Sequence, residues 1–214
     1  MDGPEHGLTP LRENRGVKWT RAVHHLRSLA EQCGDMAGKP ESIFPLRVRQ
    51  VWAFGELLGE QRDLDQVQAA LVVDLPVEDL PWLAEPQGAE HWMNATRTNK
   101  NPVRVCWRSM HAPVWNHEVE RPALVWDIEA GVDEKVLDAL TNARAEPFRQ
   151  QAPTAEERRA RIDDELAVCL QALRRNTKAY DERRWGRGSQ TSAADRLWLT
   201  CEGYLDVLDA VQGT

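Results

Sequence analysis

Residues 48–76, VRQVWAFGELLGEQRDLDQVQAALVVDLP, decide how this chain is read. The first part is rich in Val, Trp and Phe and predicts a strand over 48–58. The last part carries the near-continuous apolar run AALVV and predicts a neighbouring strand over 66–75. Between them GEQRD supplies turn residues, so the two strands are expected to pair in one sheet.

The residues before this stretch predict a helix. From Trp19, the apolar positions Ala22, Val23, Leu26, Leu29, Ala30 and Cys33 recur at helical spacing, and Gly34 and the run Gly38-Lys39-Pro40 end the pattern. On the other side, Pro76, Pro81 and Pro86 punctuate a loop, a brief helix is expected over 89–96, and strands over 103–110 and 123–128 each follow a proline. Gly131 separates the last strand from a helix over 133–144, with Val136, Leu137 and Leu140 on one face.

Residues 145–153, AEPFRQQAP, read as a linker between a mixed half and a helical half. Thr154 and Glu157 form a capping box before a long helix in which Ile162, Leu166, Cys169 and Leu173 share a stripe. A second helix from about Ser192 carries Leu197, Cys201, Tyr204, Leu205 and Leu208. The expectation is an α+β protein: a disordered arm over 1–16, a small mixed sheet of about four strands with flanking helices over 17–146, and a helical hairpin over 153–214 packed on it.

Composition narrows the function classes. The 214 residues are 42% hydrophobic and 29% charged, ordinary for a globular protein. A formal net charge of −7 opposes nonspecific attraction to phosphate backbones and argues against nucleic acid as a partner. No apolar run approaches a membrane span and no secretory leader is visible, so the expected location is cytoplasmic, away from membranes. Cys33, Cys106, Cys169 and Cys201 are far apart with no CxxC pair, which suits reduced thiols. Nine tryptophans against three phenylalanines stand out, and an indole N–H at a core edge needs a partner.

The order helix, strand, Gly turn, strand, further strands resembles the nucleotidyltransferase superfamily over roughly residues 17–130. That resemblance implies a phosphate-binding turn at Gly55-Glu56, metal-holding positions at Gln66 and Gln68, and a third acid at Asp127 in LVWDIE. The two amides bring no charge to a hard cation, and Glu56 repels phosphate, so the resemblance points to a scaffold whose catalytic acids are gone. Asp63 and Asp65, two apart in the turn before the second strand, are the substitutes an enzyme would use together with Asp127. The runs WTRAV from Trp19, LVVDLP from Leu71 and EGYLDVLDA from Glu202 resemble an uncharacterised actinobacterial family known only as a domain of unknown function.

Other groupings are weaker. Cys106, His111 and His117 suit zinc chemically but lack a fourth ligand, so no metal and no cofactor is expected. Arg174, Arg175, Lys178, Arg183, Arg184 and Arg187, beside Trp185, form the strongest positive cluster, read either as a clamp for an acidic partner or phosphate or as a solvated helix end. The functional expectation is a noncatalytic binding or interaction protein whose ligand or protein partner contacts Gly55, Glu56, Gln66, Gln68, Trp52 and Trp107, or the basic end. The alternatives are a metal-dependent nucleotidyltransferase with displaced acids and a structural homo-oligomer subunit.

Overall fold

The computed structural model describes residues 16–184 and 191–213. Five strands form one mixed sheet in the order β3-β2-β1-β4-β5: β1 Val48–Phe54, β2 Val67–Val73, β3 Val103–Ser109, β4 Ala123–Asp127 and β5 Gly131–Val132. β1 is antiparallel to both β2 and β4, while β2 and β3 are parallel and connected through helix α2, Ala89–Ala95. The expected pairing of the first two strands is present, with Phe54 opposite Gln68 and Val51 opposite Leu71.

Period-two alternation divides the strands between two faces. Val67, Ala69, Leu71 and Val73 of β2 face one core, where Ala22, Leu26, Leu29 and Cys33 of helix α1, Trp19–Ala37, pack beside Val136, Leu137 and Leu140 of α3, Glu134–Thr141. The Trp19 indole donates to the Leu140 carbonyl at 2.9 Å, joining α1 to α3. Ala70 and Val72 face the other core with Phe54, Cys106, Ile162, Cys169 and Val207, so helices α4, Ala155–Arg183, and α5, Thr191–Gln212, lie over the second face. The capping box starts α4 as expected: the Thr154 side chain accepts from Glu157 N–H and the Glu157 carboxylate accepts from Thr154 N–H. Among the described residues, no helix is long and apolar enough to cross a membrane.

Three expectations need correction. The sheet has five strands, because the two residues of β5 pair with Trp126 and Asp127; so short a segment carries no periodicity to read. The strand expected over 48–58 stops at Phe54, where Gly55 takes φ +72° and turns the chain into a 3₁₀ segment, Gly55–Leu58. Leu57 and Leu58 are buried in that turn, which is why they read as strand. The apolar stripe expected on α5 is also wrong in part: Ala193, Thr200, Gly203 and Val207 point inward, whereas Leu205 faces solvent. Midway through residues 145–153, Arg149 bridges to Ala123 and Gln150 N–H donates to the Pro122 carbonyl at 2.9 Å.

Candidate functional site: a cleft at the strand ends

β2 and β3 run parallel, and β4 runs the same way because both β2 and β4 oppose β1. The carboxyl ends of three strands therefore meet at one edge, where β1 begins. Each chain leaving that edge contributes side chains, and a cavity of about 570 Å³ opens there, within the usual range for small-ligand sites. Trp52, Val72 and Val114 give it apolar surface, Arg49, Asp74, Asp127 and Glu129 give it charge, and Met110, 50% exposed, stands at its side.

A bulge in the β1–β4 pairing, between Val51 and Trp52, brings Gln50 opposite Asp127. The Trp52 indole donates to Gln50 Oε1 at 3.0 Å, and the Gln50 amide donates to Asp127 Oδ2 at 2.9 Å. Asp127 Oδ1 accepts from the backbone N–H of Glu129 at 2.9 Å. Partial burial pushes the Asp127 carboxyl up, but these donors outweigh it and hold the group below the usual carboxylate range. Asp127 is thus an anion at neutral pH. Across the cleft the Asp74 carboxylate accepts from His111 Nε2 at 2.9 Å and lies 3.8 Å from an Arg49 nitrogen. Three carboxylates against one guanidinium leave the charged lining negative.

Next to the cleft, under α4, lies a sealed polar cluster. Glu165 is bonded to Arg108, to Arg161 at 2.8 Å and to the Asn116 amide at 2.9 Å, with all four residues buried. Burial alone would raise the Glu165 carboxyl strongly; the Arg108 and Arg161 charges overcome it and hold it low. Arg108 and Arg161 also donate to the Val114 and Pro113 carbonyls at 3.0 and 3.2 Å, so the cluster fastens residues 113–116 of the β3–β4 connection. Asp206 of α5 accepts from the Trp82 indole at 2.6 Å and meets His117 at 3.1 Å.

The residues singled out in the sequence fall in three places. Trp52 and Asp127 line the cleft. Gly55 and Gln68 are brought together at the other end of β1, where a Cβ on Gly55 would overlap the Gln68 side chain. Glu56 there pairs with Arg62 at 3.1 Å, and Gln66 is exposed just before β2. Asp63 and Asp65 are exposed on either side of Leu64, which is buried and bridges to Val17. From the Phe54–Gln68 pair to the Gln50–Asp127 pair is four residues of strand, roughly 13 Å, so Asp63 and Asp65 do not meet Asp127. Among the described residues no group of three His, Cys, Asp or Glu side chains is placed to hold a metal.

Trp107 is on the opposite face, buried edge-on against Trp92 at 5.7 Å between ring centres. Cys106 is buried with its thiol pushed up to about 12, while His111 sits at Asp74 and His117 at Asp206. Arg183 ends α4 and Arg184 pairs with Asp181 at 2.8 Å; Trp185 and Arg187 lie outside the described residues. The sequence reading missed Arg49, Asp74 and Glu129. The only local signal was LVVDLP, whose aspartate follows directly on the strand.

No curated protein and no solved structure matches the chain at a significant level. A family does: residues 17–213 match throughout, and the chain belongs to the family described as Domain of unknown function (DUF7711).

Proposed function

We propose that this is a noncatalytic binding protein that takes a small organic cation, an amine or guanidinium, in the cleft at the strand ends. The observation that carries the reading is the lining itself: an aromatic wall at Trp52 beside Asp74, Asp127 and Glu129, in a cavity large enough for a small ligand. An indole attracts a cation over its face, and low-dielectric walls strengthen the pull of the carboxylates. The Trp52–Gln50–Asp127 chain holds the wall and one anion in register before any ligand arrives, which lowers the ordering cost of binding.

We read the sheet as a nucleotidyltransferase-like scaffold of actinobacterial origin that has lost its metal-holding acids. The Gly55 turn directly after β1 and its contact with Gln68 support that reading. We take the compartment to be the cytoplasm, where the four cysteines stay as thiols.

The test is a titration of isotope-labelled protein with n-butylguanidinium chloride, with butyramide as the neutral control, followed through the indole N–H signals. The Trp52 signal, identified by its loss in Trp52→Phe, is expected to move with the cation and not with the amide, while Trp107 stays fixed. A Trp52 signal indifferent to both probes, or equally sensitive to both, would overturn the reading.

A further inference from the structure

The outer face of α5 carries a second surface that the cleft does not use. Ala193, Thr200, Gly203 and Val207 turn toward the molecule, and at Gly203 the helix comes so close to the Trp82 carbonyl that a Cβ would overlap it. The opposite side is apolar and open: Trp198 is 61% exposed and Leu205 51%, seven residues apart and hence on one face. Half-buried Ala194, Cys201 and Leu208 complete the spacing 194, 198, 201, 205, 208, an alternation of four and three that is the seam of a helix pair. α4 lies on the other side of α5, where Asn176 donates to Thr200 at 2.7 Å, so the seam is not filled by the hairpin.

One flank of this seam is a row of carboxylates. Asp195, Glu202 and Asp209 are each exposed and each seven residues from the next, so they stand in line about 10 Å apart along the helix. Among the described residues none of the three is in an ion pair. The other flank is Leu197 and Tyr204, without charge. The row identifies the occupant. A second copy of α5 laid antiparallel would set the carboxylates against themselves, and laid parallel would set them against Leu197 and Tyr204. Neither arrangement answers the charge.

We propose that α5 docks a basic amphipathic helix of another protein, with apolar residues at heptad spacing entering the Trp198–Leu205 seam and Lys or Arg every seventh residue facing Asp195, Glu202 and Asp209. Exposed apolar seams of this kind mark interaction sites, and the overall negative charge of the chain draws a basic partner in.

The experiment uses the full chain and two synthetic three-heptad peptides with identical apolar positions, one flanked by Lys and the other by Glu, titrated calorimetrically. Sedimentation is run on the protein alone. The Lys peptide is expected to bind and the Glu peptide not to. Binding should weaken at least tenfold in Trp198→Ala/Leu205→Ala, and should lose most of its salt dependence in Asp195→Asn/Glu202→Gln/Asp209→Asn. These are surface changes, and an unchanged melting temperature shows the variants are folded. No binding of the Lys peptide overturns the proposal, as does binding indifferent to both sets of substitutions. A dimer that Trp198→Ala/Leu205→Ala dissociates assigns the face to a second copy and overturns it equally.

Discussion

Two clusters of mixed charge lie side by side on the same face of the sheet, both bordered by Ala112, and they differ in what covers them. In one, Arg108, Arg161, Glu165 and Asn116 sit beneath α4 and complete one another's hydrogen bonds, with the Arg108 guanidinium 5.6 Å from the Trp82 ring centre. In the other, Arg49, Asp74, Asp127 and Glu129 surround open space. Charges taken out of water must be matched inside the protein, so the sealed cluster is committed to holding the fold. Charges left around a cavity keep their capacity for something from outside. The difference separates a group of residues whose loss is read in stability from a group whose loss is read in binding.

The largest effect on stability is expected from Glu165→Ala. It leaves two guanidiniums buried with one fewer anion between them, and a cost of about 3–5 kcal/mol is expected in urea denaturation. A cost below about 1 kcal/mol would mean the cluster is relieved by water and is not sealed. The same carboxylate makes a pH signature. Its folded pKa is held below the ordinary 4.5, so its contribution is fully present above that value and is lost as pH falls through the folded value. The stability gap between wild type and Glu165→Gln should therefore be wide at neutral pH and shrink in acid below pH 4.5. A gap that widens in acid would mean that the buried carboxyl is held above its ordinary range, not below it.

A smaller effect is expected from Gly203→Ala, which presses a methyl group into the Trp82 carbonyl where α5 closes over this face. Overpacking at such a contact costs roughly 1–3 kcal/mol, and the loss should appear as a lower melting temperature. The smallest stability effect belongs to the open cluster. Glu129 is exposed and its carboxylate makes no hydrogen bond or ion pair among the described residues, so Glu129→Gln should change stability by no more than about 0.5 kcal/mol. A large loss there would erase the distinction between the two clusters.

Much of the fold was legible because its signals are local. The apolar period of α1, the capping box of α4 and the run AALVV in β2 each state their element within a dozen residues. The sealed cluster was not legible. Arg161 and Glu165 share the inward stripe of α4 with Ile162 and Cys169, and charged residues on a helix otherwise read as its solvent face. α5 misled for the opposite reason, since leucines occur on several of its sides and the pattern cannot say which side is covered. The cleft is the least local feature, drawing on side chains from five segments of the chain between Arg49 and Gln150. The motif around Gly55 directed attention to the β1–β2 turn, whereas the space lies at the other end of β1, where Asp127 pairs with Gln50. A motif fixes positions along the chain; only strand direction says which chain ends meet.

Whether the open cluster receives a cation is decided by calorimetric titration of n-butylguanidinium into wild type and into Asp74→Asn/Glu129→Gln. The wild type is expected to bind, with an affinity that weakens with salt. Removing the two charges should weaken it by about 1 kcal/mol each, or about fivefold per charge. Equal affinity of the two proteins, or no heat of binding with either, would contradict it.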